Sequence, residues 1–427
     1  MSERVAIVDG LRTPFAKRGG ALQAFDAVDL GTAVVGELVE RNGVQPDDID
    51  QVVFGRVILD VELPNIAREI VLNSHLPDNV EAYSVSEACI TSYRTTVNAA
   101  ASIATGNADV VVAGGVDTLS HAPVVVSDRL QATLNRVADA ESIADRAKLL
   151  SGLRPGDLLP TSPDLEEPST AETMGEAAER MAKINGIDRE SQDDFAHRSH
   201  SLAAQAWERG DFDVEVMTLL PPPEYSQAIK RDATIRFDSD RQAYRKLKPV
   251  FDRRHGTLTA GNSTPLTDGA AALLMMSEAR ALEMGLEPLG FIRSSAFTAV
   301  DPADQLLIGP VYATPVALDR AGVKFDDLDL IDMHEAFAAQ MLSVIQSFES
   351  GEFAREKMGR TEPIGEIDWN VLNVNGGSIA IGHPFAATGA RQITQTLREL
   401  RRRDGQLALC TACAAGGLGS AIVLEAS

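Results

Sequence analysis

The chain has 427 residues, 44% of them hydrophobic and 24% charged, so it is long enough for more than one globular core. Its 39 Lys and Arg against 62 Asp and Glu give a formal net charge of −23, which disfavours nucleic acid and anionic membrane as bulk partners. Three cysteines fit a reducing compartment rather than a disulfide framework, and no secretory or membrane-spanning apolar run is present, so a cytoplasmic location is expected.

From the N-terminus, Met1-Ser2-Glu3-Arg4 runs straight into an apolar strand at residues 5–8. Residues 51–54, 110–113 and 273–276 also read as buried strands, and residues 30–41, 93–104 and 195–209 as helices. Such alternation predicts an α/β fold with mostly parallel sheets. The chain also repeats itself. Gly43-Val44-Gln45-Pro46-Asp47-Asp48-Ile49-Asp50 returns as Gly322-Val323-Lys324-Phe325-Asp326-Asp327-Leu328-Asp329, each copy following a helix that ends in Arg-x-Gly and preceding a strand. A duplicated α/β unit with its second copy starting near Gly290 accounts for this. Residues 121–254 have no counterpart in the second half and read as an insertion. The expected organisation is therefore 1–120 and 255–289 as one half, 121–254 inserted in it, and 290–427 as the other half. Within the insertion, apolar residues at helical spacing over 130–159 read as a solvated helical hairpin rather than a membrane or partner contact.

Reactive side chains sit in unusual settings. Cys89 precedes a helical stretch, where a thiolate would feel the positive end of the dipole; a free cysteine is also often just a small buried hydrophobe. His383 lies before Pro384 in a Gly-rich turn, placed to deprotonate a thiol or donate to an oxyanion, or else simply satisfied in a surface turn. Cys413 follows a strand and opens Ala414-Ala415-Gly416-Gly417, where small residues let backbone N–H groups approach a ligand. Its CxxC spacing with Cys410 suggests zinc or redox chemistry only weakly, because no second cysteine pair exists and the pair ends a strand. His334-Glu335 follows a strand at a position where α/β sheets collect active sites, although Glu335 also reads as a helix-start carboxylate. Asn262-Ser263-Thr264 is explained by turn chemistry alone.

Together these blocks resemble the thiolase family over essentially the whole chain. The carrying residues are Cys89 before its helix, Asn262-Ser263-Thr264 with Asp268-Gly269-Ala270-Ala271-Ala272, His334-Glu335-Ala336-Phe337, Gly382-His383-Pro384 with Thr388-Gly389, and Cys413 with the glycines after it. Met174-Gly175-Glu176-Ala177-Ala178-Glu179 with Gln192-Asp193 is similar to the family's substrate-covering loop domain. The resemblance implies a thiolase fold of two duplicated α/β halves in five layers, α-β-α-β-α, with the loop domain inserted in the first. It implies ping-pong cleavage of 3-ketoacyl-CoA by coenzyme A, as in fatty-acid β-oxidation, with coenzyme A as co-substrate, no permanently bound cofactor and no metal. Cys89 would be the nucleophile that carries the acyl group. His383 would serve as base and oxyanion donor, Cys413 as acid/base, and His334 as the holder of an oxyanion water or another active-site polar group. Met174, Thr264, Phe337 and the Ala415 N–H would contact substrate or CoA.

Three departures qualify the likeness. His334 stands where many thiolases have Asn, and the His-Glu-Ala-Phe form is similar to the β-subunit of trifunctional fatty-acid oxidation complexes. That form implies degradation of medium or long chains beside a hydratase/3-hydroxyacyl-CoA dehydrogenase α-subunit. Ala415 replaces a common glycine, and Thr173 stands where some short-chain members have His. A homodimer or homotetramer is implied. The rival readings are a β-ketoacyl synthase, disfavoured by Cys413, a biosynthetic acetoacetyl-CoA thiolase, and a non-catalytic lipid-binding or scaffold subunit.

Overall fold

The computed structural model describes residues 4–159 and 166–427; Met1–Glu3, and the part of the inserted segment at 160–165, lie outside the described residues. The first half contains β1 (Val5–Arg12), α1 (Ala27–Arg41), β2 (Gln51–Gly55), α2 (Ile66–Asn73), β3 (Glu81–Val85), α3 (Thr91–Ala104) and β4 (Val110–Asp117). The chain then passes through α4 (Asp128–Asp139), α5 (Ile143–Ser151), α6 (Met174–Asn185) and α7 (Arg189–Arg209) before returning as β5 (Thr267–Ser277). The second half contains β6 (Gly290–Ala299), α8 (Gly309–Ala321), β7 (Leu330–Met333), α9 (Ala338–Glu349), α10 (Thr388–Arg402), β8 (Leu407–Ala414) and β9 (Leu418–Ala426).

The strands form one sheet in the order β7-β8-β9-β6-β1-β5-β4-β2-β3, with the short strand Ala16–Lys17 against β5. Read outward from the centre, β1-β5-β4-β2 and β6-β9-β8-β7 carry the same strand order and the same ladder senses. The duplication seen in the acidic turns is thus a duplication of topology. Both turns become short 3-10 helices, Pro46–Asp48 and Phe325–Asp327, that deliver the chain into β2 and β7. The halves join where Ala6 faces Phe291 and Ile7 faces Gly290.

The sheet is not mostly parallel. Only β2/β3, β2/β4 and β7/β8 run parallel; the other six pairings are antiparallel. The reason lies in the connections. Between β8 and β9 there are three residues, Ala415–Gly417, too few for a crossover, so the strands must reverse as a hairpin. The first half makes the same reversal from β4 to β5, but residues 118–266 stand in place of the turn.

Side-chain alternation along the strands sorts the core into layers. Val52 and Phe54 of β2 pack outward with Leu30, Val34 and Leu38 of α1 and Ile70 of α2, while Val53 packs inward. The inward faces of both halves meet Tyr93 and Ile103 of α3 and Ile393 and Leu397 of α10. On the far side Leu409 and Val423 pack with Val311 and Leu318 of α8 and Met341 and Val344 of α9. The result is the expected five layers, with α3 and α10 as the buried central one.

Several elements are longer than their apolar patterns suggest. Helix α7 starts at Arg189, capped by Asp188, because its first turn is charged and its apolar stripe begins only at Phe195. Strand β1 continues through Asp9 and Gly10 to Arg12, a polar stretch that reads as loop in isolation. Helices α4 and α5 form largely exposed, with Leu130 buried and Leu134 exposed, as a solvated hairpin requires.

Arg12 fastens the inserted segment to β1. It is almost wholly buried, donates from Nε to Glu215 Oε1 at 2.9 Å, and pairs through Nη1 and Nη2 with both Asp232 oxygens at 2.7 and 2.9 Å. Burial alone would lower the Arg12 pKa; Asp232 and Glu215 outweigh it and keep the guanidinium charged. Asp232→Ala strands that charge, so urea unfolding is expected to show a loss of about 3–5 kcal/mol. A loss below about 1 kcal/mol would mean that Glu215 alone carries the pair.

Candidate active site

Cys89 sits on a sharp turn between β3 and α3. Ala88 before it has φ of +47°, a left-handed conformation that costs energy in a residue with a Cβ. Thr91 holds the turn: its hydroxyl accepts from the Glu87 N–H at 2.8 Å and donates to the Ala88 carbonyl at 2.7 Å. Arg94 grips Glu87 through two hydrogen bonds of 2.6 and 3.0 Å. The turn therefore aims the thiol rather than leaving it as core filling.

His383 lies between Gly382 and Pro384. Gly382 has φ of +109°, and a Cβ there would stand 2.7 Å from Thr267 Cγ2, so only glycine admits this path. The ring is buried, hydrogen-bonded through Nδ1 to Thr388 Oγ1 at 2.6 Å and edge-to-face with Phe385 at 5.0 Å. His334, just past β7, is buried beside it with ring centroids 4.2 Å apart, and its Nδ1 is hydrogen-bonded to Ser378 Oγ at 2.9 Å. Each Nε2 has no hydrogen-bond partner among the described residues. Cys89 Sγ and one nitrogen from each ring all lie within 4.8 Å of one another.

Cys413 lies inside β8 rather than after it. Strand alternation sends its thiol to the face of Leu409, while Cys410 points to the opposite face and donates to Thr396 Oγ1 at 3.3 Å. Spacing i, i+3 on a strand separates the two thiols, which removes both the zinc and the redox reading of CxxC.

Burial dominates the electrostatics. It pushes the Cys89 thiol up to about 12 despite hydrogen bonds from the Ala415 and Cys89 N–H groups, and the Asp117 charge adds to the rise. Loss of water thus acts against the thiolate that a helix terminus alone would favour. Cys413 is raised well above the ordinary thiol range, by burial and then by Cys89. Burial, followed by the Arg391 charge, lowers His383 to about 3; burial, His383 and Arg391 together put His334 well below its usual value. The resting site is thus two thiols beside two neutral imidazoles.

A second set of residues, of which the sequence reading singled out only Glu335, holds these groups. Arg391 on α10 is fully buried, pairs with Asp332 at 3.5 Å and donates to Ser378 Oγ at 3.1 Å, the same oxygen that orients His334. Glu335 is no helix-start carboxylate, since α9 begins only at Ala338. It accepts from Ser199 Oγ (2.6 Å), Asn373 Nδ2 (2.8 Å) and the Ile379 N–H (3.2 Å), pinning the loop that presents Ser378. The loop presses so close that a Cβ on Gly377 would stand 2.3 Å from Glu335 Cδ. Asp117 at the end of β4 accepts from the Val57, Ile58 and Ala386 N–H groups, tying the loop after β2 to the turn after His383; burial raises it to about 6. A serine directly after two glycines was the available signal.

Cys89, His383, Cys413 and Ala415 share a cavity of about 380 Å³ with Met174, Thr264 and Phe337, together with Ile58, Leu119, Leu307 and Phe251. His334 stands beside His383 rather than on the cavity wall. Phe337 packs edge-to-face on Phe251 at 6.0 Å. Met174 opens α6 behind the Thr173 N-cap, which explains a threonine there without a ligand. Thr264 lines the cavity but commits its hydroxyl to the Ser378 carbonyl at 2.7 Å. Asn262 is buried: its Oδ1 accepts from the Thr259 N–H within the turn, and its Nδ2 donates to Asp193 on α7, which ties the turn to that helix.

With Cys89 near 12 and His383 near 3, the thiolate fraction grows tenfold per pH unit with no imidazolium to stabilise it at neutrality. Iodoacetamide alkylation of the Cys89 peptide, followed by mass spectrometry, is expected to climb steadily from about pH 6 to about pH 10. A plateau near neutral pH would show a thiolate–imidazolium pair instead.

Comparison with known proteins agrees with this geometry. Residues 5–279 match the family model "Thiolase, N-terminal domain" and residues 286–426 match "Thiolase, C-terminal domain". A 3-ketoacyl-CoA thiolase of Yersinia enterocolitica is 57% identical over 423 residues, 99% of this chain and 97% of that protein. The Bacillus anthracis acetyl-CoA acetyltransferase superposes with a TM-score of 0.85 at 32% identity, over 100% of this chain and 99% of that one. Human mitochondrial 3-ketoacyl-CoA thiolase in complex with CoA gives a TM-score of 0.84 at 29% identity, over 100% and 98%. The chain belongs to the thiolase family.

Proposed function

We propose that the chain is a 3-ketoacyl-CoA thiolase, acting in fatty-acid degradation, with coenzyme A as co-substrate. The observation that supports this most is the meeting of Cys89, His383, Cys413 and the Ala415 N–H in one apolar cavity. His383 Nε2 takes the Cys89 proton as sulfur attacks the 3-keto carbon. The resting pair is neutral, so this transfer belongs to the attack and not to the free enzyme. The Cys89 and Ala415 N–H groups receive the developing alkoxide. Breaking the C2–C3 bond leaves the acyl group on Cys89 and its electron pair on C2 of an acetyl-CoA enolate. The oxygen of that enolate is held by His383, now protonated, with His334 Nε2 behind it. The Cys413 thiol protonates C2. Its thiolate then takes the proton of an incoming CoA, whose sulfur displaces Cys89, and His383 returns its proton to the departing sulfur.

Cys413 counts against a decarboxylating β-ketoacyl synthase, and retention of every reactive group counts against a scaffold. A biosynthetic acetoacetyl-CoA thiolase shares these residues and is the second reading, favoured by the likeness to the bacillary acetyltransferase. The apolar wall of Ile58, Leu119, Leu307 and Phe251 favours longer chains. In this reading residues 1–120 and 255–289 form one half, 121–254 the loop domain and 290–427 the other half. Among the described residues strand β3 pairs only with β2, and it is half-buried through Tyr83 and Val85, so it supports a homodimer or homotetramer built on that edge, with or without a hydratase/dehydrogenase α-subunit. Among the described residues no helix is long and apolar enough to cross a membrane; a cytoplasmic location belongs to the proposal.

Thiolysis of four-carbon and sixteen-carbon 3-ketoacyl-CoAs by purified wild type and Cys89→Ala tests the reading. Wild type is expected to cleave the sixteen-carbon substrate faster, and Cys89→Ala to lose about 10⁴–10⁶-fold. Preference for four carbons would favour the acetoacetyl reading, and cleavage retained by Cys89→Ala would overturn the nucleophile.

A further inference from the structure

We infer that Cys89, His334 and His383 form a site at which a thiophilic divalent cation of the Zn²⁺ class binds reversibly and blocks the nucleophile. One sulfur and two imidazole nitrogens lie within 4.8 Å of one another, on three separate stretches of chain. Tetrahedral zinc takes such donors at about 2.3 Å for sulfur and about 2.0–2.1 Å for nitrogen. The donors must close in a little further, and of the three only Cys89 is partly exposed.

The surroundings are those of a metal-binding pair of histidines. Each ring is fixed through Nδ1 by a hydroxyl, Ser378 for His334 and Thr388 for His383. This leaves each Nε2 buried, without a hydrogen-bond partner among the described residues. Outer-shell partners of this kind set ring orientation in metal sites. No competing hydrogen bond has to be broken when a cation arrives. The fourth position opens on the 380 Å³ cavity, where water or an external thiol completes the tetrahedron. The nearby charges are Arg391, which opposes a cation, and Asp117 and Asp332, which offset it. A thiolate with two imidazoles selects Zn²⁺ or Co²⁺ over Mg²⁺ and Ca²⁺.

Binding is a proton exchange without redox change: the Cys89 S–H bond breaks, its proton leaves to solvent, and a sulfur–metal bond forms. The site itself rests on geometry. Only one consequence rests on the thiolase reading, namely that metal and acyl group exclude each other, since acylated Cys89 has no thiolate to offer.

Co²⁺ added to the full-length protein tests the site without turnover. One equivalent is expected to give a near-ultraviolet thiolate-to-cobalt band that Zn²⁺ bleaches. The band should vanish in Cys89→Ser and persist in Cys413→Ser. Ser378→Ala, which keeps all three donors but frees the His334 ring, is expected to weaken Co²⁺ binding about 10–100-fold. Binding without a thiolate band, a band unchanged in Cys89→Ser, or Ser378→Ala binding as wild type would each overturn the assignment. Zn²⁺ should also suppress 3-ketoacyl-CoA cleavage, with recovery on chelation and protection by prior acylation. If the enzyme cleaves no such substrate but the band behaves as expected, the functional reading fails and the metal site stands.

Discussion

The close approach of α3 and α10 is the contact on which the rest of the molecule depends. A Cβ on Gly389 would stand 2.8 Å from the Tyr93 backbone nitrogen, so the first turns of the two helices touch main chain to main chain. Ser92 Oγ accepts from the Ala390 N–H at 2.9 Å, and Tyr93 donates to Gln392 at 2.9 Å. These helices occupy equivalent places in the two halves. Packing one against the other brings equivalent ends together, and the two ends carry different chemistry: Cys89 enters α3, and His383 with Thr388 enters α10. Duplication followed by divergence of two helix starts is sufficient to bring a thiol and an imidazole together.

Burying that junction decides its electrostatics. A helix terminus in water favours a thiolate, and the sequence alone suggests one here. In the folded chain the two rings and Cys413 are buried and Cys89 is partly so, and burial drives each toward its neutral form. Arg391, held in place by Asp332, reinforces neutrality of both rings while fixing one of them through Ser378. Charge is therefore absent from the resting centre and must be created during reaction, at positions where N–H donors already wait. That is the arrangement in which preorganised dipoles act most strongly.

What could be read in the chain follows from which forces are local. The Gly-rich blocks around His383 and Cys413, the repeated acidic turn and the cysteine before a helix are all local, and they located the site and the duplication. Strand direction is not local. The apolar runs at 110–113 and 273–276 look alike whether the strands they belong to are parallel or antiparallel, and only the connections settle the matter. The place of Cys413 depended on whether β8 stops at Cys410 or runs to Ala414, a difference the apolar pattern cannot see because small residues continue through it. Ser378 and Arg391 were missed for a related reason. Their importance lies in partners 44 and 13 residues away, and in a burial that no charged residue announces in sequence.

The asymmetry between the halves gives the cavity around Cys89 two unlike walls. In the second half β8 returns to β9 through Ala415–Gly417, a turn tight enough to need two glycines at positive φ, and Ala415 lends its N–H to the site. In the first half the same reversal between β4 and β5 is occupied by residues 118–266, whose first include the cavity-lining Leu119 and whose later ones, in the inserted segment, include Met174 and Phe251. Arg12, through Asp232 and Glu215, fastens that segment back onto β1. One half thus supplies a bare turn that presents donors. The other supplies a covering that excludes water and gives the cavity its apolar wall. A symmetric molecule with two short turns would leave the thiol solvated and the substrate chain uncovered; two insertions would obstruct the approach of Ala415 to Cys89. The chemistry at the junction needs one of each, and the duplicated fold provides it by changing a single connection.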